Sequence, residues 1–427
     1  MESQGIIIGL IVGLLMGAVA VYVAVPRPDV SSYEGRIEEL ESQVTDLQGQ
    51  LTDLQEDYAE ARARALAGEL QSALEDVVES SKATFPGALL YVSNPELGTW
   101  TLSSGIGDVE TDSPMRSDDK FRVGSIMKPF ISVVTLQLVE EGLFSLDDTL
   151  PELVPESIVA RFPNADKITV RMLLSHRSGL AETMIPAVIG EVTANPAKVW
   201  EVEEFLDIAA AQEPMFAPGE RYTYSNTNYN LLGLVIEEAT GRPWRVEVRE
   251  RIFEPLNLEN TLLPEPGDIS IPGNHARGYI LGEMVGMPGE LLDFTEVDGS
   301  FVGGPGGASL VSTTSDLARF MDALMAGELF HNEETLVEMV AFDEAPDFGG
   351  QVGYGLGLMK FVLPSGVEFY GHGGGAPGYY STVGFLPMQN ITFVMSSNAY
   401  PPDEYSVTWY ISFLETLISE LSATEGQ

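Results

Sequence analysis

The sequence predicts an α+β domain carried on an N-terminal membrane anchor and a coiled-coil stalk. Three observations predict it. Strand-like runs lie at both ends of the region 66–427, with helical and loop segments between them. An uncharged apolar run fills Gly5 to Val25. A heptad pattern separates that run from the domain. The expected organisation is an anchor over 1–30, a stalk over 31–65 and a globular domain over 66–427.

The anchor comes first. At ~1.5 Å per residue the run Gly5 to Val25 spans a ~30 Å hydrocarbon core. It is long for the apolar part of a cleaved signal peptide, although Ala18-Val-Ala20 imitates a cleavage site, and only Glu2 is charged before it. A retained helix is the expectation. Pro26 and Pro28 end it. Ser31-Ser-Tyr-Glu34 then has the form of a capping box. Ile37, Leu40, Val44, Leu47, Leu51, Leu54, Tyr58, Ala61 and Ala65 step by three and four. β-Branched residues at the first two a positions, with leucine at the first three d positions, favour a parallel two-stranded coil. The stalk therefore implies a parallel homodimer, weakly specified because its flanking positions are mostly glutamine.

The domain begins with a helix expected near Leu66–Ser81. Ala88–Ser93 and Thr99–Ser103 have a hairpin pattern. Strand-like runs return at Gly353–Val362, Val367–Tyr370, Thr382–Leu386 and Ile391–Ser396, and Trp409 to Leu421 closes the chain as an amphipathic helix. The two strand groups are expected to meet in one sheet across the helical insertion. The chain has 427 residues, 44% of them hydrophobic, enough for one large core. Its formal net charge of -42 offers no basic patch, which excludes nucleic acid as a partner. With no cysteine there are no disulfides or thiolate metal sites. The histidines are scattered and no His-Glu-x-x-His occurs, so no metal is expected.

The chemistry centres on Phe121-Arg-Val-Gly-Ser-Ile-Met-Lys-Pro-Phe130. A turn at Gly124 leads into a helix opening near Ser125. Phe130, Val133, Val134 and Leu138 continue it, and Gly142 ends it. Ser125 and Lys128, three apart, share one helix face. A lysine whose pKa is lowered by burial can take the serine proton, and the helix N-terminus favours developing negative charge. Ser117-Asp-Asp-Lys120 repeats the Ser-x-x-Lys spacing but lies in a polar run and is expected to be a solvated loop. Two further motifs follow, Tyr224-Ser-Asn226 and His372-Gly-Gly374. Gly373–Gly378 also fits a dinucleotide-type Gly-x-Gly-x-x-Gly, but Pro377 and the strand-like continuation argue against a helix there. The other reading is a strand edge without side chains, against which a substrate backbone can lie.

The order and spacing of these motifs resemble the serine β-lactamase and penicillin-binding-protein superfamily. The branch resembled is that of class C β-lactamases, D-alanyl-D-alanine carboxypeptidases and esterases. Leu173–Leu180, Phe216–Asn226, Leu231–Pro243 and Gly371–Tyr379 carry the same resemblance. It implies an antiparallel sheet flanked by helices plus a mostly helical lobe. It implies Ser125 as nucleophile, Lys128 as base and Tyr224 as proton relay with a lowered pKa. Asn226 then holds Lys128 and the substrate amide, His372 and Gly374 form the lysine- or histidine-x-glycine strand, and Gly375 shares the oxyanion hole with the Ser125 N–H. His176 corresponds to a position that supports the fold. Members acting on β-lactams or D-alanyl-D-alanine commonly carry threonine or serine where this chain has Gly373.

The expected function is hydrolysis of an ester or amide through an acyl-enzyme on Ser125, with no cofactor and with a small-molecule or peptide substrate. The alternative is a non-catalytic, membrane-anchored scaffold or binding module on the same fold. The resemblance implies an extracytoplasmic domain. The charge rule points the other way, since Arg27 and Arg36 follow the anchor and no Lys or Arg precedes it.

Overall fold

The computed structural model describes residues 30–419 except 82–83, 96–97, 286, 288, 303–309, 346–350, 401–410, 412 and 417. The expected anchor over 5–25 lies outside the described residues. Among those described, no helix is long and apolar enough to cross a membrane. The closing helix expected over 409–421 is described only in part. The chain forms two compact units, Met1–Arg62 and Ala63–Gln427.

Helix α1 (Val30–Ser80) is continuous, where the heptad pattern predicts a stalk ending at 65 and a new helix from 66. The reason is local. Residues 59–67 are alanine, glutamate, arginine and leucine, all strong helix formers with no breaker among them. In the first unit the heptad residues Ile37, Leu40, Leu47, Leu51, Leu54 and Tyr58 are 41 to 65% exposed. A lone helix leaves such a seam in water. Helical periodicity is therefore observed, and the pairing of two stalks is not. In the second unit Leu66, Leu70, Leu74 and Val78 recur every four residues and are buried in one core with Phe85, Phe369 and Phe393.

The described residues of the second unit form a nine-stranded antiparallel sheet. Its strands are β1 (Gly87–Asn94), β2 (Gly98–Asp108), β3 (Ser113–Pro114), β4 (Asp343–Glu344), β5 (Gln351–Tyr354), β6 (Met359–Val362), β7 (Glu368–Ala376), β8 (Tyr379–Leu386) and β9 (Ile391–Ser397). The spatial order is β3-β2-β1-β9-β8-β7-β6-β5-β4. The two strand groups meet where β1 pairs with β9, Leu90 opposite Met395. The period of two assigns each face to its own core. Leu89 and Val394 enter one core, and Ala88, Leu90, Val92, Phe393 and Met395 enter the other. The glycine stretch 371–375 lies inside β7, so the strand reading holds and the dinucleotide reading falls.

Helix α2 (Met127–Glu140) is buried on nearly every side, as its unbroken apolar sequence requires. Phe130 stacks on Phe320 of a neighbouring helix, ring centroids 3.7 Å apart. Gly142 ends α2 in the left-handed conformation, φ 76°. A 3₁₀ turn, Gly124–Ile126, precedes α2, so Ser125 sits on the turn and not in the α-helix proper. Helix α3 (Asn226–Thr240) starts at Asn226, directly after the extended Ser225. Both helix heads therefore point their functional residues at the same place.

Candidate active site

Gly124 takes φ +59°, a conformation that L side chains rarely adopt. It also lies against β7, because a Cβ added there would stand 2.4 Å from the Gly375 carbonyl oxygen. The packing is reciprocal. A Cβ added to Gly374 would stand 1.9 Å from the Val123 carbonyl oxygen and 3.1 Å from the Ser125 and Ile126 amide nitrogens. Only glycine lets the strand backbone lie on the serine turn. Gly374 is thereby buried, and Gly375 beside it is part-exposed.

On the turn, Lys128 Nζ lies 3.2 Å from Ser125 Oγ. It donates to Asn226 Oδ1 at 2.7 Å and sits 4.8 Å from the centre of the Tyr224 ring. Ser125 is part-exposed, whereas Lys128 is fully buried. Burial lowers the Lys128 pKa to about 7, and the Glu182 carboxylate partly offsets the drop. Near neutral pH a large fraction of the amine is therefore uncharged and can accept a proton.

The Tyr224 phenol contradicts the expectation of a lowered pKa. Burial holds it well above its usual value, although a hydrogen bond with Ser125 pulls the other way. Desolvation of a phenolate outweighs one hydrogen bond. Tyr224 is thus a neutral hydroxyl, able to give and receive a proton but not resting as an anion.

His372 is fully buried. Its Nδ1 donates to the Gly373 carbonyl at 2.6 Å, and Tyr354 OH donates to its Nε2 at 3.1 Å. Burial lowers its pKa to about 3, so the ring stays neutral. The ring lies beside the site, its centroid 6.3 Å from that of Tyr224. Both nitrogens are engaged, and the ring shares with Gly374 the face of β7 that lies on the serine turn. His176 packs against the tyrosine. Its Nδ1 accepts from the Ser225 amide at 3.2 Å and from Asn228 Nδ2 at 3.0 Å, and its ring lies 4.2 Å from that of Tyr224. It holds φ +56°, an uncommon state for a residue with a Cβ.

The structure thus brings Ser125, Lys128, Tyr224, Asn226, Gly374 and Gly375 to one place, with His372 beside Tyr224. Two supporting residues belong to none of the sequence motifs. Tyr354 packs beside both His372 and Tyr224, ring centroids 5.9 and 6.4 Å away, while those two rings lie 6.3 Å from each other. Glu182 accepts from the Asn226 amide at 2.9 Å and from Asn226 Nδ2 at 3.1 Å. Its one signal was proximity, two residues beyond the stretch Leu173–Leu180. Among the described residues no cluster of metal-ligating side chains occurs.

An antiparallel sheet whose strand edge lies on a serine turn, with a buried lysine behind the serine, defines a serine hydrolase of ester or amide bonds. The chain belongs to the Beta-lactamase family, whose sequence model matches residues 68–415. Penicillin-binding protein 4* of Bacillus subtilis (strain 168) is 27% identical, over 79% of this chain and 72% of that protein. Esterase EstB of Burkholderia gladioli is 26% identical, over 70% and 81%. Among solved structures, a D-stereospecific amidohydrolase from Streptomyces sp. superposes with a TM-score of 0.70 at 32% identity, over 79% of this chain and 97% of that one. The D-amino acid amidase of Ochrobactrum anthropi SV3 gives 0.72 at 26%, over 84% and 99%.

Proposed function

We propose that Ser125 is acylated by an ester or amide and then released by water, with Lys128 as base. The observation that carries this is the 3.2 Å contact between Ser125 Oγ and an amine whose pKa is near 7. Lys128 takes the Ser125 proton as Oγ attacks the carbonyl carbon. The backbone N–H groups of Ser125 and Gly375 receive the oxyanion. Tyr224 gives its proton to the leaving group and recovers one from the Lys128 ammonium. Water repeats the cycle on the acyl-enzyme. A fluorophosphonate probe should label Ser125 within minutes, and a scaffold with no activated serine would stay unlabelled.

The relatives named as esterase, amidase and penicillin-binding protein leave the acyl group open, and Gly373 narrows it. A Cβ added there meets, among the described residues within 4 Å, only the Tyr380 hydroxyl at 3.5 Å. Glycine supplies no hydroxyl for a substrate carboxylate, and a hydrogen bond to a charged group is worth ~1.5–3 kcal/mol. We therefore infer a preference for uncharged acyl groups. Aryl esters should show a higher kcat/KM than a chromogenic cephalosporin. Gly373→Thr, which has room, should move the ratio toward the cephalosporin by roughly 10-fold or more. A wild-type enzyme that prefers the cephalosporin, unmoved by the substitution, would sink this preference.

The apolar run 5–25 supports a membrane anchor, the exposed heptad residues a paired stalk, and the family resemblance an extracytoplasmic domain. The enzyme is anchored in a membrane, stands outside the cytoplasm and pairs through its stalk. A chain starting at Ser31 should sediment as a dimer at high micromolar concentration, and a chain starting at Ala63 as a monomer. Equal behaviour of the two would remove the paired stalk.

A further inference from the structure

Lys128 does not face Ser125 alone. Its ammonium position is ringed by Tyr224 and Tyr229 at 4.8 and 5.3 Å, by Asn226 Oδ1, and by the fields of Glu182, His176 and His372. Both histidines are held neutral by burial, and the tyrosines are held neutral likewise. Glu182 is the one carboxylate of this set, and its field opposes the drop in the Lys128 pKa.

The Asn226 side chain is chemically ambiguous. Its amide presents a donor at one end and an acceptor at the other, and either end fits the space. A carboxylate can only accept. Glu182 Oε1 takes the Nδ2 hydrogen at 3.1 Å, and its Oε2 takes the Asn226 main-chain hydrogen at 2.9 Å. The carboxylate is itself fixed by the amides of Thr183 at 2.6 Å and Met184 at 2.8 Å. Because Nδ2 is claimed, Oδ1 must turn to Lys128 Nζ, 2.7 Å away. The carboxylate also sits at the N-terminus of α3, where the helix field favours it.

We propose that Glu182 is a positioning residue, which sets the orientation of Asn226 and through it the placement and basicity of Lys128. The inference rests on Lys128 being the base. A neutral glutamine at 182 keeps its oxygen on the Thr183 and Met184 amides and turns its Nε2 toward the Asn226 main-chain N–H. Two donors would face each other. Asn226 is pushed from its place at the head of α3, and the ammonium form loses its nearby negative charge, so the amine becomes a weaker base.

The test uses the full chain and an aryl ester, with kcat and KM measured from pH 5 to 9. Glu182→Gln should lower kcat about 10–100-fold with KM changed little. It should also move the acidic limb of kcat to lower pH by about one unit, because the lost charge no longer supports the ammonium. Glu182→Asp, which keeps the charge, should recover part of the rate and the wild-type limb. A purely structural role would lower melting temperature and active fraction while leaving the limb in place. A Glu182→Gln enzyme with the wild-type limb and kcat within about 2-fold overturns the inference while leaving the Ser125–Lys128 reading standing. If Ser125→Ala keeps its activity, both fall together.

Discussion

Ser125→Ala lowers kcat/KM for an aryl ester by about 10⁴–10⁶ and leaves the fold intact. The size of the loss follows from the way the site works as a unit. Lys128 and Tyr224 have no task without the hydroxyl between them, so removing it discards their contribution as well. What remains is the substrate cleft and the backbone N–H groups, which alone give modest acceleration. The fold survives because the hydroxyl does no structural work. No side chain caps the turn or α2, and the Ser125 side chain is part-exposed. The measurements are steady-state kinetics and a thermal melt, with mass spectrometry to place the fluorophosphonate on Ser125 in the wild-type chain. A variant that keeps more than a tenth of the activity at an unchanged melting temperature shows that another group is the nucleophile.

Much of the site was legible because its parts are local. Ser125 and Lys128 fall one turn apart on a segment whose apolar spacing declares a helix. Tyr224 and Asn226 need two residues between loop and helix head. Gly374 needs only the absence of a Cβ, which a sequence states directly, and the 1.9 Å clash explains why glycine stands there. The meeting of β1 with β9 was legible at the coarser level, because two strand groups with exposed edges must pair somewhere.

Other features were beyond reach because burial, not residue type, decides them. His372 looks the same in the sequence whether its ring is open to solvent or fully buried. Tyr354 engages its Nε2, and Tyr354 is eighteen residues away in sequence. The Tyr224 pKa went the other way from expectation for the same cause. Counting nearby donors predicts a lower value, and only the extent of burial shows that desolvation wins. Glu182 belongs to no motif, and its importance lies in a contact with Asn226 across forty-four residues. The boundary at 65 was misplaced for a different reason. A change of role along α1 leaves no mark when the backbone propensity stays helical.

Lys128→Met removes catalysis and stabilises the protein in the same stroke, in a way that depends on pH. The loss of activity is about 10³–10⁵, since the base and the proton carrier vanish together. The gain in stability comes from the cost of burying an amine. Lysine in the unfolded chain titrates near 10.5, and in the folded chain Lys128 titrates near 7. Between those values the unfolded chain holds a proton that the folded chain has released. Stability of the wild type therefore rises with pH across that window, and the penalty is fully present below about pH 7. A displacement of this size corresponds to at most ~5 kcal/mol. Methionine carries no charge, fills a similar volume and removes the penalty. Against this, it strands the buried Asn226 Oδ1, which costs ~1–3 kcal/mol. The balance favours the mutant by at most ~2–4 kcal/mol at pH 6 and shrinks as the pH climbs. Near pH 10 the wild-type penalty has almost gone, and the stranded acceptor leaves the mutant the less stable of the two. Paired melts at pH 6, 8 and 10 read this crossing. A mutant less stable than wild type by the same margin at all three would show that Lys128 is charged throughout, and that the base must be sought elsewhere.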